Sequence, residues 1–237
     1  MRKITFTGSH EVGEHICHTA GLKRVTMELG SNSPLIIMPD ADLEKVAKAA
    51  AASGYSDAGQ VCISTQRILA HEKIHGDFLD AFKEQVEDIS TGNPIEASTK
   101  MGPMIREHDA IRVNQWVEEA IDTGAELITG GEREGQIHAP TLLANVKSEM
   151  RISSDEVFGP VVGVTSVDNI DEIIDPEPEN PNNCENCDSL LFQFSINTLG
   201  EEIIDEPKIA STLTIKKDDS TYYDGNIGIE ILTLIHI

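Results

Sequence analysis

The chain has 237 residues, enough for one large domain or two small ones, and its 39% hydrophobic and 25% charged residues are typical of a soluble globular protein. Its net charge of −23 argues against nucleic acid and anionic membranes as partners, and no apolar run approaches the ~20 residues of a membrane helix. The first residues lack the apolar segment of a secretory signal, and the four cysteines are too few and too irregularly spaced for a disulfide framework. We therefore expect a cytoplasmic protein.

The first 30 residues predict a strand, a helix and a second strand. Residues 3–9 alternate apolar side chains and end in Gly8-Ser9, residues 11–20 have helical spacing before a glycine, and residues 24–30 are strand-like. This order predicts a βαβ unit with parallel strands. Because one such unit cannot form a stable sheet alone, we expect the chain to begin inside an α/β domain.

Helices and strands continue to alternate as far as residue 167, which predicts an α/β fold. The patterns predict helices over 40–54, 76–89 and 106–124, and strands over 64–70, 126–131, 139–146 and 160–167.

The composition changes after residue 167. Residues 168–206 contain 12 Asp or Glu and no Lys or Arg, which places a boundary near Val167 and is typical of a solvated or loose segment. Residues 175–189 are rich in Pro and Asn and predict a loop. Its Cys184-x-x-Cys187 pair could form half of a zinc site, but no second pair follows at ligand spacing, so we predict no metal.

Cys62, in the stretch AGQVCISTQR (58–67), has two interpretations from the residues alone. Free cysteine is among the most buried residue types, and most buried cysteines are inert, so Cys62 could be a small core residue. It could also be a nucleophile at the mouth of a site.

Four stretches in chain order carry a resemblance to a known family. They are FTGSHEVG (6–13), MELGSNSP (27–34), GQVCIS (59–64) and DEVFGPV (155–161). A glutamate in M-E-L-G, a cysteine 34 residues later in G-Q-x-C, and then E-x-F-G-P-V form a specific set. The chain resembles the NAD(P)-dependent aldehyde dehydrogenase superfamily over about residues 3–167.

The resemblance implies oxidation of a small aldehyde to a carboxylic acid with NAD or NADP. Cys62 would be the nucleophile that forms a thiohemiacetal and then a thioester, and Glu28 would be the base that activates water. Glu156 would hold the ribose next to the nicotinamide. Including Glu156, the implied cofactor-binding residues are Gly8, Ser9, Gly13, Leu29, Gly30, Glu156 and Phe158.

The resemblance also implies a division of the chain. Residues 1–30 would be a remnant of the Rossmann-type NAD(P)-binding domain, 31–167 the catalytic domain, and 168–237 a divergent C-terminal segment in which 211–224 correspond to a late strand. Members of the family are longer, and the segment with most of the dinucleotide site has no counterpart here. We therefore expect aldehyde oxidation by these 237 residues alone to be weak or absent.

Two other functions fit the same residues. A cofactor-independent thiol esterase would use Cys62 for attack and Glu28 for deacylation. A non-catalytic, truncated copy would instead associate with itself or with a full-length relative through the open edge of the βαβ unit. In that reading Glu28 is an exposed glutamate at a strand end. Cys17, on the first predicted helix, is expected in the core in either case.

Overall fold

The structure, a computed structural model, describes residues 2–168 and the backbone of three further strands at 193–197, 209–217 and 220–229. The chain divides into two units, Met1–Asp175 and Pro176–Ile237. The predicted α/β fold class is confirmed for the first unit. Among the described residues, no helix is both long and apolar enough to span a membrane.

The first unit begins with the predicted βαβ unit: β1 (Lys3–Thr7), α1 (His10–Thr19) and β2 (Arg24–Glu28). The two strands are parallel, and the register pairs Thr7 with Glu28. The carboxyl ends of parallel strands lie at the same edge, so the turn from β1 into α1 lies beside Glu28. Ligands of α/β proteins commonly bind at such an edge.

The remainder of the first unit forms a five-stranded sheet with four helices. Its elements are β3 (Pro34–Ile37), α2 (Leu43–Gly54), a 3₁₀ turn (Ser56–Gly59), β4 (Arg67–His71), α3 (Glu72–Glu87), α4 (Glu107–Asp122), β5 (Glu126–Thr129), β6 (Arg133–Glu134), β7 (Ile137–His138), β8 (Thr141–Ala144), α5 (Arg151–Ser154) and β9 (Val161–Val167). The strand order is β3-β4-β9-β8-β5, while β6 and β7 form a separate hairpin. Only β5 is antiparallel to its neighbour in the larger sheet.

Two of the helices, α2 and α3, combine an N-terminal side-chain cap with an apolar stripe. Asp42 caps α2 by accepting a hydrogen bond from the Lys45 N–H. On α3, Phe78, Phe82 and Val86 recur at every fourth position and are fully or almost fully buried. The rings of Phe78 and Phe82 stack with their centroids 5.3 Å apart.

The centre of the sheet is covered on both faces. Val161 and Val162 of β9 point to opposite faces, and both are completely buried, as are Leu142 and Leu143 of β8. The parallel strands β3, β4 and β9 are aligned, with Pro34 paired to Arg67 and Arg67 paired to Gly163. The segments that precede these three strands therefore lie side by side at one edge of the sheet.

The second unit contains three antiparallel strands: β10 (Gln193–Asn197), β11 (Ile209–Lys217) and β12 (Ser220–Ile229). The stretch 211–224, predicted as one late strand, instead crosses from β11 into β12 and forms both arms of a hairpin. The predicted loop 175–189 with its Cys184/Cys187 pair lies outside the described residues.

Candidate active site

Cys62 lies in a turn that follows α2 and the 3₁₀ turn. The Ser64 N–H donates a hydrogen bond to the Val61 carbonyl over 3.0 Å, which closes the turn around Cys62. The Cys62 side chain is exposed, so the core interpretation of this cysteine is wrong. Cys17 was also expected in the core, but this expectation is wrong, since Cys17 is exposed. Gly13 is the only buried residue of α1.

The backbone before Cys62 has an unusual conformation. Asp57, Ala58 and Gly59 have φ values of 49°, 56° and 68°, three successive residues in the left-handed region. A Cβ atom at Gly59 would lie 2.0 Å from the carbonyl oxygen of Gly159. The segment that carries Cys62 therefore rests directly on the loop that leads into β9, and only glycine permits this approach.

We predict that Gly59→Ala destabilises the protein by about 3 kcal/mol, since the new methyl group meets a backbone oxygen and the left-handed φ is strained. Gly135→Ala is the matched control: Gly135 has a φ of 59° but no atom within 4 Å of an added Cβ. Its substitution should cost only about 1 kcal/mol. Urea unfolding measures both variants, and equal losses would contradict the proposed contact between the two loops.

The Glu156 carboxylate contacts the backbone of residues 30–31, the segment just after Glu28. Its Oε1 accepts a hydrogen bond from the Ser31 N–H over 3.1 Å. Its Oε2 lies so close to Gly30 that a Cβ there would be 1.8 Å away. Ser31 thus contacts Glu156 through its backbone. Glu156 and Glu28 are brought to the same short segment by a pairing across 125 residues.

Five of the other predicted cofactor-binding residues lie close to the ends of β1 and β2, whereas Phe158 lies in the loop before β9. The five are Gly8, Ser9, Gly13, Leu29 and Gly30. The Gly8 N–H donates to the Glu28 carbonyl over 3.1 Å, and the Glu28 side chain is exposed. Ser9 precedes α1, and its side chain caps no N–H of that helix. Leu29 packs against Gly13, where an added Cβ would lie 2.6 Å from a Leu29 methyl carbon.

Gln66 is a polar residue of this region that the sequence motifs did not single out. Its side chain is 1% exposed, and its Oε1 accepts hydrogen bonds from the backbone N–H groups of Val157 (2.6 Å) and Phe158 (3.1 Å). The alternation of inward and outward residues along β4 gives a signal for the burial of Gln66, because Gln66 shares its face with the buried Ile68 and Ala70. A polar side chain at an inward position must find hydrogen-bond partners.

The loop from Glu156 to Pro160 is the centre of the arrangement. It touches the segment after Glu28 through Glu156, and it touches the Cys62 segment through Gly159. Among the described contacts, none joins the side chains of Cys62 and Glu28 directly. The loop thus contacts residues 30–31, which follow Glu28, and Gly59, which precedes Cys62.

Nearby charge is provided by Arg112, whose guanidinium donates to the Val157 carbonyl over 2.8 Å. Burial lowers the pKa of Arg112, while the negative charges of Asp109 and Glu156 act in the opposite direction. The side chain thus fixes the backbone of the loop and places a positive charge near the Glu156 carboxylate.

Comparison with known proteins identifies the family. Residues 1–181 match the family model described as "Aldehyde dehydrogenase family". This chain belongs to the aldehyde dehydrogenase family. It is 48% identical over 168 residues to 3-sulfolactaldehyde dehydrogenase of Priestia aryabhattai, covering 71% of this chain and 35% of that protein. It is 40% identical to salicylaldehyde dehydrogenase of Pseudomonas putida, covering 69% of this chain and 35% of that protein.

Solved structures agree with this assignment. Glyceraldehyde-3-phosphate dehydrogenase GapN of Methanocaldococcus jannaschii, complexed with NADP, is 38% identical with a TM-score of 0.70, covering 73% of this chain and 38% of that one. Aldehyde dehydrogenase C of Pseudomonas syringae, in a mutant form complexed with NAD+ and octanal, is 30% identical with a TM-score of 0.69, covering 73% and 38%. The chain thus spans about a third of the length of the aldehyde dehydrogenases it matches.

Proposed function

We propose that these residues form the catalytic part of an NAD(P)-dependent aldehyde dehydrogenase that oxidises a small aldehyde to a carboxylic acid. The observation that carries the proposal is the loop from Glu156 to Pro160. It contacts the segment after Glu28 on one side and the exposed Cys62 segment on the other. A nucleophile, a base and a cofactor carboxylate in one neighbourhood are the groups that this chemistry needs.

In the proposed reaction, the Cys62 thiolate adds to the carbonyl carbon of the aldehyde and forms a thiohemiacetal. The Cys62 N–H, which donates to no acceptor in the described hydrogen bonds, would stabilise the negative charge on the substrate oxygen. Bound NAD(P)+ would supply the hydride acceptor. Glu28 then takes a proton from the water that hydrolyses the resulting Cys62 thioester, which releases the acid and restores the thiol.

The residues around α1 fit a dinucleotide. The N-terminus of a helix attracts phosphate through its free N–H groups. At α1 the Ser9 side chain accepts no hydrogen bond from these groups. Gly8 and Gly13 allow the Phe6 ring and the Leu29 side chain to approach this turn closely. Glu156 offers an acceptor for a ribose hydroxyl. Leu29, Gly30 and Phe158 would surround the nicotinamide side.

Cofactor binding can be tested with the 237-residue chain itself. Because it spans a third of its relatives, we expect weak binding of NAD+ or NADP+ and little NADH formation from short aldehydes. Saturation-transfer NMR suits such weak ligands. Glu156→Gln should raise the Kd by about tenfold, since it removes a charge-assisted hydrogen bond. Glu134→Gln, at an exposed strand, is the control and should leave the Kd unchanged. No detectable binding by the unmodified chain would contradict the cofactor proposal.

A thiol esterase activity is supported by the exposure of Cys62, which lets an activated ester reach the sulfur without a cofactor. This activity uses the same nucleophile and base. It therefore provides an assay for Cys62 and Glu28 that is independent of NAD(P).

We also infer the division into a cofactor-binding part (1–30), a catalytic domain (31–167) and a divergent segment (168–237). Association with a second copy or a full-length relative is supported by exposed apolar side chains of the βαβ unit, with Val12 45%, Leu22 107% and Val25 38% exposed. If this association were the sole role, the esterase assay would show no dependence on Cys62. A cytoplasmic location remains a prediction from the sequence.

A further inference from the structure

We propose that Gln66 is a positioning residue that holds the Glu156 carboxylate against the backbone of residues 30–31. The inference rests on the proposed role of Glu156 in binding the cofactor ribose. It assigns to this buried side chain the task of fixing the loop that contacts both the segment after Glu28 and the segment before Cys62.

Two hydrogen bonds from one acceptor carry the inference. The Gln66 Oε1 accepts from Val157 N–H and Phe158 N–H, the two backbone groups that directly follow Glu156. Both donors lie before β9 begins at Val161 and so take no part in its strand pairing. Without Gln66 they would lose their acceptor in the protein interior, which is costly for buried groups.

The main chain of Gln66 strengthens the same connection. Its carbonyl accepts a hydrogen bond from the Gly163 N–H over 2.9 Å, so Gln66 binds the chain both before and within β9. Gln66 lies four residues after Cys62, at the entrance to β4. One residue therefore links the nucleophile segment to the loop that carries the cofactor carboxylate.

The loop needs such a support because its backbone is strained. Phe158 has a φ of 46°, a left-handed value that costs energy for an aromatic residue. Hydrogen bonds to the Val157 and Phe158 N–H groups hold this conformation. Since Glu156 is the preceding residue, they also set the direction from which its side chain reaches Ser31.

Amide hydrogen exchange tests the inference without requiring activity. Gln66→Met has a similar size but no acceptor, whereas Gln66→Glu retains an oxygen for both donors. In Gln66→Met, exchange at Val157, Phe158 and Ser31 should be at least about tenfold faster than in the unmodified protein. The Ser31 amide is the decisive reporter, because it donates to Glu156 and does not touch Gln66. Leu69 and Val164 serve as control amides in the central strands, and Gln66→Glu should restore slow exchange at all three reporters.

If Gln66 had only a general structural role, Gln66→Met would speed exchange at the control amides as much as at Ser31. Unchanged exchange at Ser31 in this variant would also overturn the inference. Gln66→Asn shortens the side chain by one methylene and gives the same test if Gln66→Met fails to fold. Gln66→Met should also weaken NAD+ binding as much as Glu156→Gln does. If the unmodified chain binds no NAD+, the proposed function fails, while the Ser31 amide still decides whether Gln66 positions Glu156.

Discussion

Replacing Cys62 with alanine is expected to reduce hydrolysis of 4-nitrophenyl acetate by about 100-fold or more, to the rate of the uncatalysed reaction. The thiolate is the only protein group in the proposed mechanism that forms a bond to the substrate, so no other side chain replaces it. Any NADH formation from an aldehyde should be lost as well. Release of 4-nitrophenol at neutral pH measures the first effect, and absorbance of NADH measures the second.

Cys17→Ala is the matched control because Cys17 is also an exposed free cysteine of the described residues. Chemistry by any accessible thiol would be reduced equally by the two substitutions. The proposal predicts a loss for Cys62→Ala and no change for Cys17→Ala. Equal rates in the unmodified protein and in Cys62→Ala would exclude both the dehydrogenase and the esterase proposals.

Glu28→Gln is expected to slow steady-state ester hydrolysis by about 100-fold, while the first rapid release of 4-nitrophenol is kept. Glutamine has nearly the same shape as glutamate but cannot take a proton from water. Attack by Cys62 therefore proceeds, and the acyl group remains on the sulfur. Stopped-flow absorbance separates the rapid phase from the slow steady state.

The alternative interpretation of Glu28, an exposed glutamate at a strand end, predicts no kinetic effect. Glu134→Gln tests this directly, because Glu134 is also exposed and also ends a strand. A loss confined to Glu28→Gln supports the proposed base. If Glu28→Gln slowed the first release of 4-nitrophenol as well, Glu28 would act before the acyl group reaches Cys62. That result would contradict its role in deacylation.

Much of the fold could be predicted because periodicity is a local property of the sequence. The apolar stripe of Phe78, Phe82 and Val86 and the run of buried residues in β9 are visible in short windows. Strand β3 and the hairpin of β6 and β7 escaped prediction, and β6 and β7 have two residues each, a single period of the strand alternation. The expectation for Cys17 was wrong for a different reason: a helical pattern shows a face, but not whether another element covers it.

For the candidate site, the motifs named the residues but not the contacts between them. The sequence order of Glu28, Cys62 and Glu156 indicated the family. The contact of Glu156 with Ser31 depends on a fold that joins positions 125 residues apart. The left-handed run that includes Asp57 and Ala58 was also unpredictable, because neither residue type requires that conformation. Gln66 occupies an inward position in the alternation that continues through Ile68 and Ala70, but the alternation alone does not show which groups its side chain contacts.

Trapping the acyl group tests most directly whether Cys62 is the nucleophile. Glu28→Gln protein is mixed with 4-nitrophenyl acetate, quenched in acid within the rapid phase, digested and examined by mass spectrometry. We predict one acetyl group on the peptide that contains Cys62, with Cys17 unmodified in the same sample. In Glu28→Gln/Cys62→Ala we predict no trapped acetyl group on either peptide. Acetylation of Cys17 to the same extent, or an unmodified Cys62 peptide, would contradict the assignment of Cys62 as the nucleophile.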